Sequence, residues 1–224
     1  MKREEIRARI VAIGIVPVIR AASAELAVRA AEAVRAGGVT VVEVTMTVPG
    51  AFEAIESLAR RYGEEELLIG AGTVLDAATA RRCLAAGARF LVSPGFDAEV
   101  TALAGPSGAV VMPGALTPTE VIAAWRAGAD FVKIFPCGQV GGPSYLKALK
   151  APLPQVEMIP TGGVSLETAP AYLRAGAAAL GVGSELISAA ALARNDTASI
   201  TETARQFLAA VRRAREPEAA AGVH

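Results

Sequence analysis

Strand-like and helix-like segments alternate eight times along this chain, and that alternation restricts the fold more than any other feature. A first helical stretch at 3–12 places Ile6, Ile10 and Val11 on one face. Strand-like runs follow at 13–19, 39–44, 67–70, 89–92, 109–112, 131–135, 156–159 and 178–182. Between them lie helical patterns at 23–36, 49–62, 76–86, 97–104, 117–127, 142–150 and 165–175, then a helix capped by Ser184 and a last one at 196–214. Apolar residues three and four apart mark the helices, and short β-branched runs mark the strands. The punctuation agrees. Ser23, Asp76 and Ser165 suit helix N-caps, Pro49 suits a first helical position, and Thr117-Pro118 with Glu120 reads as a capping box. Eight units predict an α/β protein, specifically a (β/α)8 TIM barrel with an N-terminal extra helix, before a doubly wound sheet. A recurring A-G-G/A before the second, fourth, sixth and eighth strands, at Ala36, Ala86, Ala127 and Ala175, supports the count. The length of 224 residues fits one domain over 1–214, with an Ala/Gly/Pro-rich tail at 215–224 expected to fray.

Composition narrows the function. Hydrophobic residues make up 53% but aromatics only 4%, so the core must be built of Ala, Val, Leu and Ile. Basic and acidic residues balance at 22 each, without the basic excess of a nucleic-acid groove. The single histidine, His224, ends the chain, which argues against His-based metal sites and Ser-His or Cys-His catalysis. Cys83 and Cys137 lack C-x-x-C spacing, so neither a disulfide framework nor a zinc site is expected. No apolar run reaches the roughly 18 residues of a membrane span, and the charged N-terminus lacks a signal-peptide core. The expectation is a cytoplasmic enzyme without metal or cofactor, and without nucleic-acid or membrane partners.

Chemistry in a parallel barrel lies at the C-terminal ends of the strands. Lys133 sits inside F-V-K-I-F, and Glu43 inside V-V-E-V-T. Period two puts Glu43 with Val41 and Thr45 on one face and Val42 and Val44 on the other. Both faces of a parallel barrel strand are buried, so the carboxylate needs a partner, and Lys133 is the obvious one. An amine held out of water favours its neutral, nucleophilic form. Two bland alternatives stand beside this: a lysine that snorkels to solvent, and a structural ion pair. The seventh strand ends in Thr161-Gly162-Gly163 and the eighth in Gly183-Ser184, the two loops where barrels commonly bind phosphate. Arg20 ends the first strand.

Taken together, VPVIRA (16–21), GGVTVVEVTMTVPGA (37–51), IGAGTVLD (69–76), FLVSPG (90–95), MPGALTPTE (112–120), FVKIFP (131–136), PTGGV (160–164) and GVGS (181–184) resemble the 2-keto-3-deoxy-6-phosphogluconate (KDPG) and 4-hydroxy-2-oxoglutarate (KHG) aldolase family. The resemblance implies a class I aldolase, usually a trimer, acting on a small 2-oxo acid. It implies that Lys133 forms the Schiff base and Glu43 is the general acid/base. It further implies that Thr73, Pro94 and Phe135 line a pyruvate pocket and that Gly162, Gly163 and Ser184 hold a phosphate. Many family members carry arginine where this chain has Thr47, which leaves Arg20 as the nearest cationic candidate for an anion clamp. Two other functions fit the residues: a phosphosugar isomerase or epimerase using Glu43 as base, and a non-catalytic oligomeric ligand-binding barrel.

Overall fold

The computed structural model describes residues 1–216; of the tail expected to fray at 215–224, Arg215 instead ends the last helix and Glu216 caps it, and 217–224 lie outside the described residues. Helix α1 (Arg3–Ile13) leads into β1 (Ile15–Ile19), α2 (Ala24–Ala36), β2 (Val41–Thr45), α3 (Ala51–Arg61), β3 (Leu68–Gly72), α4 (Ala77–Ala85) and β4 (Phe90–Val92). Next come α5 (Ala98–Ala102), α6 (Ala104–Ser107), β5 (Val110–Met112), β6 (Gly114–Ala115), α7 (Pro118–Arg126) and β7 (Val132–Ile134). The chain continues through α8 (Gly142–Lys150), β8 (Met158–Pro160), α9 (Ala169–Arg174), β9 (Leu180–Val182), α10 (Ala189–Ala193) and α11 (Thr197–Arg215). The fold is a curled parallel α/β sheet. Six strands run β5-β4-β3-β2-β1-β9, and three run β6-β7-β8. A parallel bridge from Thr161 to Gly181 links β8 to β9, and Lys133 N–H donates to Pro113 O at 2.9 Å on the other side. The expected fifth strand, 109–112, is β5; β6 is a two-residue addition set off from it by Pro113, which has no N–H to give to a ladder.

Side-chain alternation divides the core in two. Val41, Leu68, Phe90, Val92, Val110, Met112, Phe131 and Ile159 form an inner cluster with Ile6 and Ile10 of α1. Val42, Val44, Ile69, Ala71, Leu91, Val111, Val132 and Ile134 pack outward against the helices. Helix α1 thus supplies two isoleucines to the inside of the sheet.

Several local expectations hold. Ser23, Asp76 and Thr117 cap their helices, and Thr117 with Glu120 forms the full capping box. Others need correction. Pro49 does not start α3; Gly50 is its N-cap, with φ 75°. Ser184 caps no helix, because Gly183 O takes the N–H groups of both Leu186 and Ile187 and closes a separate turn. The cap of α10 is Ser188. Ser165 likewise precedes its helix: it exchanges hydrogen bonds with Thr168 in a turn, and α9 begins only at Ala169.

Candidate active site

Glu43 lies in the middle of β2, 2% exposed, beside Val18 of β1 and Gly70 of β3. It shares its face with Val41 of the inner cluster, so the carboxyl enters the interior of the sheet. Room for it comes from Gly72: a Cβ there would stand 1.8 Å from Glu43 Oε1. That oxygen is buried with no hydrogen-bond partner. Burial raises the Glu43 carboxyl above the usual carboxylate range, and the charges of Lys133 and then Arg20 oppose the rise without cancelling it.

Lys133 occupies the middle of β7 and is 5% exposed. It shares its face with Phe131 of the inner cluster, while Val132 and Ile134 belong to the outer one. Amine and carboxyl therefore enter the same interior from different strands. They do not close to a direct ion pair within 4.0 Å. The Lys133 Nζ stands 5.1 Å from the centroid of the Phe135 ring, within cation–π range.

Phe135 leads from the amine to a cavity of about 230 Å³ at the C-terminal ends of the strands. Of the residues singled out from sequence, Arg20, Phe135, Thr161, Gly162, Gly163, Gly183 and Ser184 line it together. Gly162 and Gly163 both have positive φ, 85° and 77°, a conformation that suits glycine and turns this stretch of backbone around the cavity. Gly163 also packs on Gly138, where a Cβ would come within 2.8 Å of the neighbouring Cα. Ser165 and Glu185 line the same cavity. Sequence reasoning missed them because Ser165 reads equally well as a helix cap and Glu185 carries no pattern.

Thr47, Thr73 and Pro94 do not line that cavity. Thr47 is exposed, and its hydroxyl lies 2.7 Å from that of Thr45. Since Thr45 donates to Ile19 O, Thr47 is the donor in that pair. Thr73 follows β3 with φ 58°, a left-handed conformation uncommon for a residue with a branched side chain. Pro94 follows β4, its carbonyl packed against Gly114 of β6. Among the described residues no group of three His, Cys, Asp or Glu side chains is placed to hold a metal ion, and no helix is long and apolar enough to cross a membrane.

A lysine and a carboxyl group buried on the inner face of a parallel sheet, opening onto a glycine-walled cavity with one arginine, define a class: α/β enzymes that work on carbonyl compounds through an amine. The comparisons with known proteins sharpen this. Residues 6–203 match the aldolase family described as KDPG and KHG aldolase, and this chain belongs to that family. It is accordingly an enzyme of the lyase class. It is 34% identical to the 2-dehydro-3-deoxy-phosphogluconate aldolase of Treponema pallidum over 196 residues, 88% of this chain and 92% of the relative. It is 36% identical to the KHG/KDPG aldolase of Escherichia coli K12 over 192 residues, 86% of this chain and 89% of that one. A solved KDPG aldolase from Legionella pneumophila, with pyruvate captured as a covalent carbinolamine intermediate, superposes with a TM-score of 0.83 at 34% identity, covering 90% of this chain and 97% of that one.

Proposed function

We propose that this protein is a class I aldolase that cleaves KDPG, 4-hydroxy-2-oxoglutarate or both, giving pyruvate plus glyceraldehyde 3-phosphate or glyoxylate. The observation that carries the reading is the meeting of Lys133 and Glu43 on one buried face with a gap between them. Lys133 Nζ attacks the C2 carbonyl, and loss of water from the carbinolamine leaves an iminium. Glu43, directly or through a water, takes the proton of the C4 hydroxyl. The C3–C4 bond breaks, its electron pair moving into the iminium nitrogen, and an aldehyde leaves. Protonation of the resulting enamine at C3 and hydrolysis release pyruvate and the free lysine. Burial raises the Glu43 carboxyl above the usual carboxylate range, which favours its holding a proton between the steps that take and give one. Thr73, Pro94 and Phe135 would hold the pyruvate half. Thr161, Gly162, Gly163, Gly183 and Ser184 would hold a distal phosphate, with Arg20 as its cation. Thr47 contributes a hydroxyl rather than a charge.

The nine parallel strands among the described residues support reading the curled sheet as a closed (β/α)8 barrel with α1 across its N-terminal end, one domain over 1–214. The exposed Leu75 and Phe96, in the loops after the neighbouring strands β3 and β4, support self-association, which we read as a homotrimer. Two buried free thiols, Cys83 and Cys137, fit the reducing cytoplasm. Borohydride reduction in the presence of pyruvate, followed by peptide mass spectrometry, tests the mechanism: the expected product is an adduct on Lys133, and its absence favours an isomerase using Glu43 alone. Retro-aldol kinetics on the two substrates then assign the preference.

A further inference from the structure

The inner face of β3 carries no side chain beyond its first residue. Leu68 belongs to the inner cluster, and Ile69 and Ala71 to the outer one. The inward positions that follow Leu68 are Gly70 and Gly72. The neighbouring strands fill this space from both sides. Phe90 of β4 is fully buried and pairs with Gly70 in the ladder. Its ring lies across that glycine: a Cβ on Gly70 would stand 2.1 Å from Phe90 Cε2 and 2.3 Å from Cδ2 and Cζ. Glu43 of β2 pairs with the same Gly70 from the other side and runs over the next inward position. A Cβ on Gly72 would stand 1.8 Å from Glu43 Oε1, 2.5 Å from Cδ and 2.7 Å from Cγ. The ring and the carboxyl thus lie over residues two apart, roughly 7 Å along one strand. Neither glycine has a positive φ, so it is the space above them, not their backbone conformation, that requires glycine.

We infer that Gly72 and Phe90 are positioning residues for Glu43: the bare backbone of Gly72 leaves the place that the carboxyl occupies, and the ring over Gly70 closes the place beside it. The inference rests on the proposed aldolase reading, in which Glu43 carries protons and Lys133 forms the iminium. Proton transfer needs the carboxyl within hydrogen-bond reach of the C4 hydroxyl or of one intervening water, and a misplacement of about 1 Å is costly there. A methyl group on Gly72 overlaps one carboxyl oxygen and the two carbons behind it, so turning the tip alone does not clear it. The whole end of the side chain has to leave. Replacing Phe90 by leucine vacates part of the space over Gly70 and gives the carboxyl a second place to lie.

The test separates the amine from the carboxyl. Pyruvate release from KDPG and 4-hydroxy-2-oxoglutarate needs both groups in place, whereas the borohydride adduct of pyruvate reports that Lys133 still forms its iminium. Gly72→Ala should lower kcat by about 10²-fold and Phe90→Leu by about tenfold, with the adduct retained in both. Each substitution is then repeated in a Glu43→Gln background, where no proton-carrying carboxyl is left to misplace. The further loss there should be under about threefold. Losses of the same size in both backgrounds, or a Gly72→Ala kcat within about threefold of wild type, overturn the positioning role, while an adduct on wild-type Lys133 keeps the aldolase reading. Where Gly72→Ala lacks the circular dichroism spectrum of wild type, the Phe90→Leu pair decides by the same comparison. Absence of the adduct from wild type overturns both.

Discussion

At the N-terminal ends of the strands, Asp130 is buried and fully engaged. It accepts from the Val111 N–H at 2.8 Å, from Arg3 Nε at 2.8 Å and from Arg3 Nη2 at 3.0 Å. Arg7 adds an ion pair to Asp130 at 3.6 Å and another to Glu157 at 2.8 Å. Arg9 donates to the carbonyls of Glu64 and Glu65, and Arg89 to that of Met1. Farther along the strands, in the middle of β2, Glu43 is also buried, yet one of its oxygens has no partner and no cation comes within ion-pair range of it. Two buried carboxylates in one sheet thus behave oppositely. The first is surrounded by donors and fastens α1 to the sheet. The second is left uncompensated, which costs stability and keeps a proton carrier available. The difference teaches how this protein treats buried charge: satisfied where it holds the fold, unsatisfied on the inner face beside Lys133.

Substitutions separate the two ends. Lys133→Ala should have the largest effect, lowering retro-aldol turnover by about 10⁴-fold or more and abolishing the borohydride adduct, with the fold intact by circular dichroism. Glu43→Gln should lower kcat by roughly 10²–10⁴-fold. The same variant should change the pH profile of stability. A carboxyl raised in the folded state favours folding most at low pH and loses that contribution as pH rises from its ordinary value toward the raised one. Wild type should therefore lose melting temperature relative to Glu43→Gln as pH increases through that window. A constant difference would mean that Glu43 is not raised. At the other end, Asp130→Ala should cost about 2–3 kcal/mol in denaturant unfolding, discounted because Arg3 and Arg7 reach solvent. Its kcat/KM should stay within about twofold of wild type. A large loss of activity there would erase the division of labour between the ends. Arg60→Ala, which removes an exposed pair with Glu56, should change stability by no more than about 0.5 kcal/mol and sets the floor of the scale.

The helices, and which strand carries each polar residue, were legible because periodicity and caps are local. The alternation around Glu43 and Lys133 placed both inside, and the register of β2 and β7 agrees. The capping expectations failed at Ser165 and Ser184, where a hydroxyl that could cap a helix serves a turn instead. Asp130 was passed over because its donors come from α1, 127 residues away in sequence, and nothing near it marks the contact. Gly72 read as part of a loop signature; its service as the space for Glu43 is visible only across two strands.

From the amino-acid order alone came the α/β alternation, the two charged side chains on the inner face and the two glycine loops, because each depends on neighbours a few positions away. Folding in three dimensions decided the rest: that Arg20 lies over Gly183, that Thr73 and Pro94 stand outside the cavity that Phe135 lines, and that one carboxylate is satisfied while another is not. Those outcomes depend on distances between segments far apart in the chain. Desolvation and Coulomb interaction act through space and are blind to sequence separation.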